Sequence, residues 1–238
     1  MKRLLILLIC CCTVLTAAAQ NRLIKDYLIP IPKELTRLRE KNNLSEEQLR
    51  HCQHFLLSLR QHNLLNPNES KQLPYLSMTV TPKLHPQEYG LSIHIDKIEI
   101  FGGDPAAVFF GTRTLLQLIE YALTENTTLP CLVIHDVPDF ERRGYMLDIS
   151  RNKVPKMETL YQIVDLLAAW KINEFQLYIE HTFAYKNHQD AWEGCSPMTA
   201  EEIRDLDNYC RERFIDLVPN QNSFGHMENW LRHDRYKE

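Results

Sequence analysis

The chain has 238 residues, of which 44% are hydrophobic and 24% are charged, and this is the composition of an ordinary globular protein. Its length suits one large domain or two of modest size. The formal net charge of −4 favours neither nucleic acid nor an anionic membrane surface as a partner.

The first nineteen residues predict a secretory signal peptide. Lys2 and Arg3 precede an apolar run, and small residues follow up to Ala19, after which we expect cleavage. The run is too short to cross a bilayer core of about 30 Å as a stable helix. We therefore expect an exported protein, periplasmic or secreted. A lipoprotein signal is the alternative, because residues 10–12 are cysteines, but Ile9 is a poor residue to precede a lipidated cysteine.

Four cysteines follow the signal, at positions 52, 131, 195 and 210. In an oxidising compartment they could form two disulfides in three pairings, and the sequence leaves the pairing open. Cys210 falls on a helical apolar stripe with Leu206, which predicts a small core residue. No C-x-x-C spacing supports a zinc site.

Residues 20–138 predict a small α+β domain. Ser45 and Gln48 form a capping box at the start of a helical pattern, and alternating apolar and polar residues further on have the period of half-buried strands. The predicted order is an extended segment over 27–35, a helix over 44–63, strands within 75–82 and 89–103, a helix over 104–123 and a short strand within 129–138.

Residues 139–238 alternate between short apolar runs and helical patterns. The predicted order is a strand over 144–149, a helix over 157–171, a strand over 174–179, a helix over 199–214 and a strand over 215–219. A capping box of Thr199 and Glu202 opens the second helix. Strands of the buried type in this order predict βαβ units and a parallel sheet. In such sheets ligands bind beyond the carboxyl ends of the strands.

Charged residues surround the first of these strands. Arg143 precedes it, and Asp148 and Arg151 come at its far end. A guanidinium offers a fork of donors that suits hydroxyls or carboxylates. The alternative is a structural salt bridge among these charges.

A long polar loop follows the second strand and begins with Glu180 and His181, where barrel enzymes carry catalytic groups. His188 lies too far along the chain to share a helical face with His181, and no third ligand is evident, so we expect no metal. Three aromatic residues of the loop could stack on sugar rings, although packing is the better default. These are Phe183, Tyr185 and Trp192.

The segment after the third strand, residues 220–226, is dense in amides and ends in Gly225 and His226. Such side chains supply short-range donors and acceptors for a polyhydroxylated ligand. A hydrogen-bonded turn is the alternative. Neither a dinucleotide or phosphate-binding glycine motif nor a nucleophile elbow occurs, and no cofactor is expected.

Three stretches carry a resemblance to glycoside hydrolase family 20, the β-N-acetylhexosaminidases. "RRGYMLDISRNKVPKMETLYQIVDLLAAWKINEFQLY" resembles the opening of the family's catalytic barrel, and "MTAEEIRDLDNYCRERFIDLVPNQNSFGHM" resembles its second helix and third strand. "YGLSIHIDKIEIFGGDPAAVFFGTRTLLQLIE" is similar to its accessory domain. The resemblance implies an α+β accessory domain over 20–138, followed over 139–238 by the first three βα units of a TIM (β/α)8 barrel.

Site roles also follow from the resemblance. Arg143 matches an arginine that binds hydroxyls of the terminal sugar, and His226 matches a histidine that lines the active site. Where many members have an Asp pair after the second strand, this chain has His181 and Thr182, next to Glu180, and Asn222 stands where the third-strand motif has an Asp. Substrate binding by Arg143, Glu180, His181, Asn222 and His226 is therefore the expectation. The departures affect sugar specificity more than fold.

The family's chemistry implies a further expectation. Its substrate's own 2-acetamido group attacks the anomeric carbon, while an Asp orients that group and a Glu protonates the leaving oxygen. No counterpart of this Asp–Glu pair occurs in the sequence, and a barrel of about 250 residues is longer than the part that follows Phe140. We therefore expect the first part of a longer enzyme, inactive alone. The alternatives are a non-catalytic glycan-binding or interaction protein and a complete, unrelated α/β protein.

Overall fold

A computed structural model of the protein describes residues 24–65, 73–151 and 153–237. The expected signal peptide, residues 1–19, lies outside the described residues. Across the described ranges, no helix has both the length and the apolar character needed to cross a membrane.

The described chain divides into two compact units. The first comprises residues 24–59 and 63–139, and the second comprises residues 60–62 and 140–237.

A five-stranded sheet forms the centre of the first unit. Its strands are β1 (Glu34–Lys41), β2 (Leu76–Val80), β3 (Tyr89–Ile93), β4 (Ile98–Gly102) and β5 (Pro130–Asp136). They lie in the order β1-β5-β3-β4-β2. Neighbouring strands are antiparallel except β2 and β4, which are parallel.

The helix that packs on this sheet is α3 (Pro105–Thr124), which α1 (Glu46–Ser58) contacts in turn. A short helix, α2 (Gln61–Leu65), follows α1 along the chain. The α3 helix packs on β3 and β4 and also contacts α1. Asp104 caps α3, since its carboxylate accepts from the Ala107 amide over 2.6 Å, and Pro105 takes the first turn, where its missing N–H costs nothing. The predicted capping box of Ser45 and Gln48 is confirmed at the start of α1.

Two sequence predictions for the first unit need correction. The helix predicted over 44–63 ends at Ser58, and a separate short helix follows. The extended segment predicted over 27–35 gives way to strand β1, which continues to Lys41. Charged residues in "ELTRLREK" conceal this strand, because β1 lies at the sheet edge with most of its side chains in solvent.

The second unit is built on three parallel strands. Its elements are β6 (Gly144–Asp148), α4 (Met157–Ala169), β7 (Glu174–Ile179), α5 (Gln189–Trp192), α6 (Ala200–Arg211), β8 (Asp216–Gln221), α7 (Glu228–Leu231) and a 3-10 turn (Asp234–Tyr236). The strands lie in the order β6-β7-β8, and both pairs are parallel, as predicted. The α6 helix packs against α4 and β8, and its predicted Thr199/Glu202 capping box is confirmed.

The two faces of this sheet differ. On β7, Phe175, Leu177 and Ile179 are buried, whereas the alternate residues of the strand are polar and half-buried. The prediction of strands of the buried type is therefore wrong for β6 and β8. Met146 of β6 is 54% exposed, and β8 has no fully buried residue. The reason is that β6 and β8 are the edges of this sheet in the described chain.

Candidate functional site

Polar side chains gather where the three parallel strands of the second unit end. Asp148 closes β6, Glu180 follows β7, and Asn222 follows β8. The backbone ladder continues past the strands, since the Asn222 amide donates to the Ile179 carbonyl over 2.8 Å. Parallel strands bring their carboxyl ends to one edge, so these residues from distant parts of the chain become neighbours.

Glu180 is the centre of this group and is only 6% exposed. Its Oε1 accepts hydrogen bonds from the Arg151 guanidinium and, over 2.9 Å, from the Tyr178 hydroxyl. The same oxygen lies 3.7 Å from Nδ1 of His226. Asn222 donates from its amide to the Tyr178 hydroxyl over 2.6 Å. We call these five residues the Glu180 cluster.

The charge state of Glu180 follows from two opposing effects. Burial alone raises the pKa of its carboxyl group, but hydrogen bonds from Arg151 and Tyr178 and the charges of Arg151 and His226 outweigh it and hold the pKa below its ordinary value. In return, the hydrogen bond to Glu180 raises the pKa of Arg151. Glu180 is therefore an anion at neutral pH, and it orients donors rather than giving up a proton.

The structure confirms the hydrogen-bonded turn expected within residues 220–226, whereas ligand binding by these residues stays a prediction. The Asn222 side-chain oxygen accepts from the amides of Phe224 and Gly225 over 3.3 and 3.2 Å, which makes a hydrogen-bonded turn. The same turn also brings His226 to Glu180, with φ of +51° at His226 and an imidazole that is 61% exposed. Asn222 and His226 thus combine a structural part with a position at the site.

The backbone of Glu180 is held as firmly as its side chain. Its amide donates to Ser150 Oγ over 2.7 Å. Its carbonyl oxygen accepts from the Trp230 indole over 2.7 Å and from the Gln221 amide over 3.0 Å. Ser150 lies in the segment after β6, Gln221 is the last residue of β8, and Trp230 lies in the segment after β8, so the position of Glu180 depends on both neighbouring strands.

His181 follows Glu180 but has different surroundings. It is 5% exposed, and its Nδ1 lies 2.9 Å from the Asn229 amide nitrogen. Burial, with the charges of Arg232 and Arg151, lowers the pKa of His181 against the opposing charge of Glu180. The imidazole is therefore neutral at neutral pH. It does not join the hydrogen bonds of the Glu180 cluster.

The structure does not bring Arg143 to the other candidates. Arg143 precedes β6, at the amino end of the sheet, about five residues or ~16 Å along the strand from Asp148. Its guanidinium donates to the carbonyl oxygens of Phe140 and Lys171 over 2.7 and 2.9 Å. Sugar binding by Arg143 stays a prediction that this geometry does not support.

Protein-family models match almost all of the chain past residue 21. Residues 22–137 match glycosyl hydrolase family 20, domain 2, and residues 140–237 match the catalytic domain of the same family. The chain belongs to glycosyl hydrolase family 20. The resemblance inferred from the sequence motifs is thereby confirmed.

Curated relatives of this family 20 chain include several β-hexosaminidases. The chain is 27% identical over 192 residues to a β-hexosaminidase of Akkermansia muciniphila, covering 73% of this chain and 38% of that protein. It is 30% identical over 186 residues to β-hexosaminidase B of Pseudoalteromonas piscicida, and the match covers 75% of this chain and 24% of that protein. The chain thus spans well under half the length of the relatives it matches.

Solved structures show the same fold. A chitobiase of Flavobacterium johnsoniae superposes with a TM-score of 0.68 at 24% identity, over 86% of this chain and 36% of that one. A β-N-acetylhexosaminidase from Bacteroides fragilis superposes with a TM-score of 0.66 at 19% identity, over 87% of this chain and 47% of that one. The family 20 chain therefore shares the fold of the corresponding part of these enzymes.

The loop after β7 packs its aromatic residues together. Phe183 and Tyr185 make an edge-to-face pair with ring centroids 4.7 Å apart, and the Trp192 indole donates to the Tyr185 carbonyl over 3.0 Å. Packing, the default interpretation, is what this family 20 chain shows for these rings. Among the described residues, no group of three or more His, Cys, Asp or Glu side chains is arranged to hold a metal ion.

Sequence reasoning missed three members of the site. Tyr178 lies inside β7, where an aromatic residue is expected in the core, yet it faces the polar side two positions before Glu180. Arg151 was not among the expected substrate-binding residues, although a ligand-binding guanidinium and a structural salt bridge were both considered at this strand; it lies 3.6 Å from Asp148 and also bonds Glu180. Trp230 gave no signal, because its role depends on the fold of the segment after β8. For Tyr178, the period of two from Glu180 was the available clue.

Proposed function

We propose that the chain is part of an exported β-N-acetylhexosaminidase, which removes terminal N-acetylhexosamine from glycans. The observation that carries this proposal is the Glu180 cluster, at the carboxyl edge of parallel strands in a family 20 catalytic region. The curated relatives are β-hexosaminidases, which supports the substrate class.

The cluster offers a sugar two kinds of contact. Arg151 and His226 are each more than half exposed, at 55% and 61%, so their N–H groups remain within reach of a ligand. Glu180 itself is nearly covered and fixes both groups in place. Guanidinium and imidazole donors held against a buried anion suit the hydroxyl or carbonyl oxygens of a sugar.

The proposed reaction is substrate-assisted and retaining. The 2-acetamido oxygen of the substrate attacks its own anomeric carbon, so the enzyme needs no carboxylate nucleophile. Glu180 is an unsuitable proton donor for the leaving oxygen, because its lowered pKa keeps it ionised. We therefore propose that the Asp–Glu pair of the family's mechanism comes from protein outside these 238 residues, within a TIM barrel that these strands begin.

Export is proposed from the amino-terminal sequence. Lys2 and Arg3, the apolar run and the small residues before Gln20 have the order of a secretory signal. The site for terminal glycan residues would then meet its substrate in the periplasm or outside the cell.

One observation favours the second candidate, a non-catalytic glycan-binding protein. The carboxylate of the Glu180 cluster is held ionised by its neighbours, so it has no proton to give to a leaving oxygen. On this candidate the 238 residues would bind sugar and never hydrolyse it.

Binding of N-acetylglucosamine to the exported protein, measured by calorimetry, tests the site. His226→Ala should weaken binding by about tenfold, since it removes a donor to the ligand. His54→Ala, on the exposed side of α1, should leave binding unchanged. If wild-type protein shows no binding, or if both variants bind alike, the site proposal fails.

A chromogenic N-acetylglucosaminide separates the two candidates. The 238-residue chain should give no turnover, whereas the longest protein encoded at its locus should turn the substrate over if the enzyme proposal is right. Turnover by the 238-residue chain that survives purification and disappears in Glu180→Gln would contradict the assignment of Glu180 as a positioning anion.

A further inference from the structure

A second pocket lies in the same unit, outside the hydrogen bonds of the Glu180 cluster. It occupies 350 Å³ between the segment that follows β6 and the loop that follows β7. This volume is at the small end of the range for ligand sites, about 300–1,000 Å³. Its lining residues are Lys153, Val154, His181, Thr182, Gly194, Cys195 and Ser196.

His181 is the buried polar residue of this pocket. It is 5% exposed, and its Nδ1 faces the amide nitrogen of Asn229 at 2.9 Å. A neutral imidazole that accepts at Nδ1 carries its proton on Nε2, so His181 has one further hydrogen bond to donate. Buried polar groups normally have partners, and a ligand in the pocket would provide one.

Lys153 carries an ammonium group, Ser196 a hydroxyl and Cys195 a thiol, while Thr182 adds a second hydroxyl. The Thr182 hydroxyl already shares a hydrogen bond with Ser150 Oγ over 3.1 Å, and the Cys195 thiol lies 3.7 Å from the Glu193 carbonyl. Lys153 is exposed and makes no hydrogen bond or ion pair within the described part of the chain. Among the lining residues that the structure describes, none has a carboxylate. One positive charge without a carboxylate, beside the His181 N–H and the Ser196 hydroxyl, favours an anionic oxygen group.

We propose that this pocket binds an anionic oxygen group, a sulfate ester or a carboxylate, carried by a glycan whose terminal sugar occupies the Glu180 cluster. This proposal rests on the proposed function. Glu180 and His181 are consecutive, with Cα atoms about 3.8 Å apart, so one strand end serves both sites. The glycan substrates would then be acidic ones, and the pocket would set that preference.

The first measurement is binding of inorganic sulfate to the exported protein, by calorimetry and by amide chemical shifts. Lys153→Gln should weaken sulfate binding by about tenfold, because a charged hydrogen bond is lost, and Lys153→Arg should restore it. Lys156→Gln is the matched control, since Lys156 is an exposed lysine three residues on that does not line the pocket. Equal sulfate affinity in wild type and Lys153→Gln would overturn the proposal and identify an adventitious ion only.

The second measurement compares a sulfated N-acetylglucosamine with neutral N-acetylglucosamine. The sulfated sugar should bind wild type about tenfold more tightly than the neutral one, and Lys153→Gln should remove that difference while neutral sugar binds as before. If neutral sugar binds and sulfation adds nothing, the pocket proposal fails and the proposed function stands. If sulfate binds through Lys153 but neither sugar binds, the pocket is an anion site, and both the glycan proposal and the proposed function fail.

Discussion

Tyr178 of β7 and Glu180, the residue that follows this strand, are joined by a hydrogen bond, since the Tyr178 hydroxyl donates to Glu180 Oε1 over 2.9 Å. The same hydroxyl accepts from the Asn222 amide over 2.6 Å. Because a hydroxyl has one proton, these two bonds have a fixed direction, from Asn222 through Tyr178 to Glu180. The ends of β7 and β8 are thereby joined through a single side-chain oxygen.

Tyr178→Phe should break both bonds at once. It leaves the Asn222 amide without this acceptor and Glu180 with one donor fewer, so we expect a loss of about 1–3 kcal/mol in the free energy of unfolding. Urea denaturation measures it. Tyr145→Phe is the control, because Tyr145 is 43% exposed and its hydroxyl has no hydrogen bond in the described structure. Equal stability of the two variants would show that the Tyr178 bonds contribute nothing.

Glu180 should make stability depend on pH in the acid range. Its pKa is lower in the folded protein, chiefly because Arg151 and Tyr178 donate to the carboxylate against the effect of burial. The stabilisation is therefore complete above the unfolded-state pKa of about 4.3 and is lost as the pH falls through the folded pKa. In Glu180→Gln, the free energy of unfolding should therefore fall less steeply as the pH is lowered. Urea titrations between pH 2.5 and 7 measure this pH dependence.

The matched control is Glu193→Gln, since the exposed Glu193 carboxylate makes no ion pair in the described chain. Part of the acid dependence should survive in Glu180→Gln. The pKa of Glu88 is also lowered, by a hydrogen bond from His135 and another from the His85 backbone. If the free energy of unfolding depends on pH in the same way in Glu180→Gln and in wild type, the charge state assigned to Glu180 is wrong.

Trp230 is expected to hold the site through its indole N–H alone. Trp230→Phe keeps an aromatic ring among Tyr185, His188 and Tyr236 but removes the donor to the Glu180 carbonyl. We expect a loss of about 1 kcal/mol in unfolding free energy and weaker binding of N-acetylglucosamine. Trp170→Phe should change neither quantity, because Trp170 is 40% exposed and its indole donates no hydrogen bond in the described chain. If Trp230→Phe binds N-acetylglucosamine with the affinity of wild type, Trp230 has no positioning role at the site.

Local sequence patterns predicted where helices start. The features that the sequence did not predict depend on partners that lie far away along the chain. The capping residues Ser45 and Thr199 act within one turn, so their signal is complete in the sequence. Strand β1 exists because it pairs with β5 about a hundred residues later, with Glu34 opposite His135. No local pattern of charged residues contains that partner.

The candidate site was likewise predicted in part. The order of strands and helices was enough to place Glu180, Asn222 and His226 at one edge, since parallel strands share their carboxyl end. Arg143 was grouped with them by resemblance to the family, although its place before β6 puts it at the opposite end. Which neighbours a side chain meets, as with Tyr178, depends on the packed structure.

At Gly111, packing and helix propensity predict opposite effects of an alanine substitution on the free energy of unfolding. It lies inside α3, where alanine is ordinarily more stable than glycine by about 1 kcal/mol. A Cβ at this position would lie 2.6 Å from Ile100 Cγ2 and 3.2 Å from the Tyr89 ring, both fully buried on the sheet below. Gly111→Ala should therefore destabilise the protein by about 1–3 kcal/mol. Glu120→Ala, at an exposed position of the same helix, should stay within about 0.5 kcal/mol of wild type. Thermal and urea unfolding of both variants decide the sign, and a more stable Gly111→Ala would mean that α3 is not pressed against β3 and β4 at this point.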